Sequence, residues 1–157
     1  MKALIYGDTF PRLLRDMKYC PGKWASRLVF LLGPWACLWM VEILNENDVF
    51  EDLAAWQILM NLVWYYSLFV VLRLLLGRNR RAAALATVLA FLFGLVNHYV
   101  LRFRGRILFP ADITGWRTAA NVADGFDYSL DEHMMQAAVL LVAYLFLVFV
   151  CVPQKKR

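Results

Sequence analysis

The chain has 157 residues, of which 62% are hydrophobic, and a mean hydropathy of +0.54. A water-soluble domain carries about 45–50% apolar residues, so composition excludes an ordinary soluble globule and assigns the excess to lipid. The net charge of +5 sits in clusters flanking apolar runs, which points to membrane topology and anionic lipid and away from nucleic acid.

In chain order, residues 1–26 form a basic lead containing Lys2, Arg12, Arg15, Lys18 and Lys23. The first apolar run starts only near Leu28 and no small-x-small site follows it, so no cleavable leader is expected. Four runs then have the roughly 20 apolar residues that a spanning helix needs: residues 27–44, 54–76, 82–101 and 134–152. Each must be helical, because lipid offers the backbone no hydrogen-bond partner. Pro34, just after Gly33, predicts a kink in the first. Ala82, Ala83, Ala84 and Ala86 at the start of the third predict close helix packing. Ser129 and Glu132 have the S-x-x-E spacing of a capping box ahead of the fourth.

The expected architecture is all-α, a four-helix transmembrane bundle with both termini inside. Three basic clusters decide the topology: the lead, Arg78 with Arg80 and Arg81, and the tail of residues 153–157 with Lys155, Lys156 and Arg157. Four spans put all three on one side, which the positive-inside rule makes cytoplasmic. The connection Asn45–Asp52 holds acids and no basic residue, and falls outside. So does the long connection 102–133.

That outer loop carries the candidate chemistry. Arg102, Arg104 and Arg106 alternate with Phe103, Gly105 and Ile107. In an extended segment the three guanidiniums share one side, and their forks match phosphate geometry. With Arg117 they form a candidate clamp for a lipid phosphate such as that of phosphatidylglycerol. The alternative is snorkelling and pairing with the loop acids. The stretch "PADITGWRTAANVADG" reads as a short interfacial helix, opened at Pro110 or Asp112 and closed at Gly125, with Trp116 at headgroup depth. Asn97, His98, Asp112, Trp116 and Asn121 are the candidate supports of this loop.

Catalytic groups are not apparent. The cysteines Cys20, Cys37 and Cys151 are scattered, with no CxxC or Cys/His cluster, so neither a metal nor a cofactor is expected in this chain. No acid sits at the centre of a span, which weighs against proton-coupled transport. No nucleophile–base constellation or glycine-rich phosphate loop appears.

The segment "NHYVLRFRGRILFPADITGWRTAANVADGFDYSL" resembles the region after the third membrane helix in bacterial lipoteichoic acid synthase-like phosphoglycerol transferases of the sulfatase/alkaline phosphatase superfamily. The matching positions are Asn97, Tyr99, Arg104, Gly105, Pro110, Asp112, Ala119, Asn121, Val122 and Ala123. The resemblance implies a membrane bundle in a Gram-positive cytoplasmic membrane, beneath an extracellular domain that uses a divalent metal, usually manganese. That catalytic domain and the family's fifth helix have no counterpart in these residues, so no catalytic residue is carried over. The expected role is membrane anchoring and headgroup positioning, not catalysis, with a separately encoded catalytic subunit or a second copy as possible partners. The other readings are a fragment of a longer gene product, a small structural or interaction protein of the envelope and, less favoured, a transporter subunit.

Overall fold

The computed structural model of the chain describes residues 23–105 and 129–152. They form four helices and, among the described residues, no strand: α1 Lys23–Leu44, α2 Ala55–Leu76, α3 Asn79–Arg104 and α4 Glu132–Cys151. All four are long and apolar enough to cross a membrane. The protein is therefore a polytopic helical membrane protein.

The helix ends reach past the apolar runs because the polar flanks continue the same backbone hydrogen-bond ladder. α1 begins at Lys23 and α3 at Asn79, several residues ahead of the apolar boundary. α1 runs unbroken through Pro34, which is buried in the bundle. α2 and α3 both end on a left-handed glycine. Gly77 (φ 62°) returns its N–H to Arg73 O, and Gly105 (φ 64°) returns its own to Leu101 O. A residue without Cβ adopts that conformation at no steric cost, which fixes both stops.

α1 and α3 form the central pair. α2 packs on both from one side and α4 packs on both from the other, while the backbones of α2 and α4 stay apart. Small residues set the closeness of the pair. Ala82, Ala83, Ala86 and Ala90 are buried along one stripe of α3, and a Cβ at Gly94 would meet Leu44 and Val41 of α1 at 3.0–3.1 Å. This is the small-residue packing that membrane helices use in place of a hydrophobic driving force. Around it lie Met40, Phe69, Tyr144 and Val148. The outward surface is apolar: Trp64, Leu74, Leu75, Val139, Val142 and Phe146 are all exposed. A soluble monomer does not tolerate such a continuous apolar surface, whereas hydrocarbon does. α2 is the least enclosed helix, with only Leu62 and Phe69 buried.

Two local expectations are corrected. The S-x-x-E box does not form. Asp131 is the N-cap of α4, its Oδ1 accepting from the Met134 N–H at 2.9 Å, and Glu132 opens the first turn. Asp131 stands three residues before the N–H it caps, the preferred reach for a carboxylate cap. The second concerns the arginine alternation. Arg102 and Arg104 are not extended but lie in the last turn of α3. Two positions apart on a helix is about 200° of rotation at 3.6 residues per turn, so these two side chains leave the helix on opposite sides.

Candidate functional site

The polar residues gather at the end of the bundle where α1 and α3 finish and α4 starts. His98 is the hub. It is 1% exposed, and α3 aims it at both neighbouring helices. Its Nδ1 lies 2.5 Å from the Leu44 carbonyl oxygen, and its Nε2 lies 2.7 Å from Asp131 Oδ2. A carbonyl only accepts, so Nδ1 carries a proton and donates it. Nε2 faces the Asp131 carboxylate, so the ring is clamped between the end of one helix and the cap of another.

Leu44 is the final residue of α1. Its carbonyl is one of the four that a helix C-terminus leaves without an intrahelical partner. His98 satisfies it from the side, and Asp131 joins the same ring to the cap of α4. One side chain of α3 thus ties the end of α1 to the start of α4.

A second layer surrounds the hub. Asn97 Nδ2 donates to Asn45 Oδ1 at 2.7 Å, and Asn47 Nδ2 donates to the buried Glu42 at 2.9 Å. The Arg102 guanidinium reaches the Ser129 carbonyl at 3.4 Å, the Ser129 hydroxyl at 3.3 Å and Asp131 Oδ2 at 3.6 Å. Tyr99 packs edge-on to His98 and stacks on Phe103. Arg104 is exposed one turn from the end of the hydrophobic run.

Burial pushes the Asp131 carboxyl upward, but the Met134 N–H, the His98 ring and Arg102 together outweigh it. The group is held below the ordinary value of 3.8. A depressed carboxylate contributes stability that is present above the unfolded value and is lost as pH falls through the native one. Thermal midpoints in detergent are therefore expected to differ between wild type and Asp131→Asn at neutral pH and to converge below pH 3.8. A constant gap across that range would show that the charge of Asp131 does not stabilise the latch.

Of the sequence candidates, Asn97, His98, Arg102 and Arg104 meet at this end. Arg106, Asp112, Trp116, Arg117 and Asn121 lie outside the described residues, as does the short interfacial helix expected around them. The sequence reading did not include Asp131, Ser129, Asn45 or Leu44 in the site. Ser129 and Asp131 had a local signal, capping residue types just ahead of an apolar run. Asn45 and Leu44 are defined by contacts across 52 and 54 positions of chain.

The arrangement provides fixed hydrogen bonds and surface cations. Among the described residues, no group of His, Cys, Asp and Glu has the geometry of a metal site. Cys37 is buried and its thiol faces Thr87 at 3.9 Å, while Thr87 itself bonds back to the Ala83 carbonyl. That is a packed interior contact, not an activated nucleophile. No protein-family model, curated protein or solved structure matches the chain.

Proposed function

We propose that the chain is a membrane-anchoring module that positions an anionic lipid headgroup at its His98 end, and that it is not catalytic by itself. In this reading it sits in a bacterial cytoplasmic membrane with both termini inside, and the His98 end faces out. It is the counterpart of the membrane domain of a lipoteichoic acid synthase-like transferase and serves a catalytic domain supplied elsewhere.

One observation carries the reading. α3 has 26 residues, about 39 Å at 1.5 Å per residue, against a hydrocarbon thickness of about 30 Å. Its apolar run ends at Leu101, so Arg102 and Arg104 stand in the layer where lipid phosphates lie. Their opposed directions on the helix suit two contacts around the helix end better than one three-pronged clamp. His98 and Asp131 hold that turn in place from beneath.

A second reading has its own support. Arg102 already contacts Ser129 and Asp131, which fits an arginine that anchors the α3–α4 junction of a structural or interaction protein. The two separate experimentally. The probe is phosphatidylglycerol with a photoreactive headgroup, in phosphatidylcholine vesicles holding the full chain. The lipid reading expects labelling at residues 97–105 and 129–134, falling about 30-fold in Arg102→Gln/Arg104→Gln, given about 1 kcal/mol per basic residue near an anionic surface. Undiminished labelling in a variant of wild-type stability would leave the arginines as anchors only.

A further inference from the structure

The opposite end of the bundle carries a different feature. Between α3 and α4 runs an open groove of about 480 Å³, with Arg80 and Arg81 at one end and Leu85, Val88, Leu145 and Phe149 along its length. From Arg80 to Val88 the groove follows α3 for about 12 Å, at 1.5 Å per residue. It begins at the polar start of α3 and leads along that helix's apolar length.

Among the described residues, the charges at its mouth are uncompensated. All acidic residues within the described chain (Glu42, Glu46, Asp48, Glu51, Asp52, Asp131 and Glu132) lie at the other end, near the α1–α2 connection or the start of α4. Arg80 stacks its guanidinium over the Phe149 ring, 4.4 Å from the centroid. Stacking occupies the face of the guanidinium and leaves its N–H edge for an acceptor. Yet Arg80 Nε is buried and has no hydrogen-bond partner among the described residues. Leaving a buried charged donor unmet is costly. The first turn of α3 adds further donors, since Arg78 at the N-cap provides no side-chain bond, and a helix start favours an anion.

We infer that this groove is a binding site for one anionic glycerophospholipid, its phosphate held by Arg80 and Arg81 and an acyl chain lying along Leu85, Val88 and Leu145. A free phosphate would use only the mouth and leave the apolar length empty. A second protein helix would fill the length but would need a carboxylate set in register with both arginines to match the mouth. A lipid matches both parts. Phe149 has two tasks, fixing the Arg80 guanidinium and walling the acyl chain. The site is separate from the His98 end and does not depend on what that end does.

The test uses the full chain in phosphatidylcholine vesicles containing a tracer of phosphatidylglycerol or phosphatidylcholine, each with a photoreactive acyl chain, followed by mapping of labelled peptides. The expected result is labelling of the α3 and α4 segments around Leu85, Val88 and Leu145, with about 30-fold preference for phosphatidylglycerol, the factor two arginines give near a surface. Arg80→Gln/Arg81→Gln should bring labelling to the phosphatidylcholine level, and Arg102→Gln/Arg104→Gln should leave it unchanged. Equal labelling by the two lipids in the wild type would overturn the assignment without relying on any variant. So would crosslinks joining two copies of the chain through this groove.

Discussion

Gly33→Ala is expected to lower the stability of the bundle by about 1–3 kcal/mol, the usual result of forcing a methyl group into a filled core. In a bare helix the change would help, by up to about 1 kcal/mol, because alanine is the better helix former. Packing reverses the sign here. A Cβ at Gly33 would collide with the ring edge of Phe69 and with the Tyr144 hydroxyl. Neither has room to retreat. Phe69 is fully buried and meets Phe30 edge-on at 5.5 Å. The Tyr144 hydroxyl donates to the Val29 carbonyl at 2.9 Å, tying α4 to α1. Moving it breaks that bond inside an apolar layer. Gly33 is therefore the notch in α1 that admits one aromatic side chain from each flanking helix. The check is a double-mutant cycle on the thermal midpoint in detergent. Phe69→Ala opens space, so Gly33→Ala should cost less in its presence than alone. Additive effects, or a stabilised single variant, would show that the notch is not filled as described.

The fold was legible because its main term is compositional. Four long apolar runs in a chain with this hydropathy leave the backbone one solution, and the alanine stripe of α3 announced the close pair. The ends were less legible. Hydropathy measures where lipid stops, whereas a helix stops where its backbone ladder finds a cap. Gly105 carried that signal for α3, but the R-x-R-x-R alternation suggested an extended segment, and a period-2 pattern over so few residues is weak against a helix already under way. Ser129 and Asp131 are both good capping residues by type. What selects Asp131 is His98, 33 positions back in the chain, and no local pattern encodes that choice. Asn97 and His98 read as polar residues near a helix end, and the sequence gives no sign that one of them joins three helices. Gly33 likewise reads as a partner of Pro34, since the rings that occupy its notch arrive from α2 and α4.

His98→Leu should be the most damaging single change at the polar end, destabilising the protein by about 2–4 kcal/mol. Leucine fills much of the same volume, so the loss isolates the hydrogen bonds. The Leu44 carbonyl would lose its partner at a buried helix end, and an unmet buried acceptor costs about 1–3 kcal/mol. Asp131 would lose a charge-assisted bond as well, but its side chain is 27% exposed, so water recovers part of that. The Asn97 bond to Asn45 is neutral and half-buried, and hydrogen bonds between membrane helices average only about 0.6 kcal/mol. Asn97→Leu should therefore cost clearly less than His98→Leu. The consequence is also directional. His98 is the only described side chain bonded to both the last residue of α1 and the cap of α4, so its loss should free the α3–α4 junction before the bundle opens. Amide exchange measures this directly: the first turn of α4, from Met134 to Ala137, should lose protection in His98→Leu while the Ala83–Ala90 stripe keeps it. Uniform loss across all four helices would mean that His98 supports the core as a whole, and equal protection everywhere would mean that the latch bears no load.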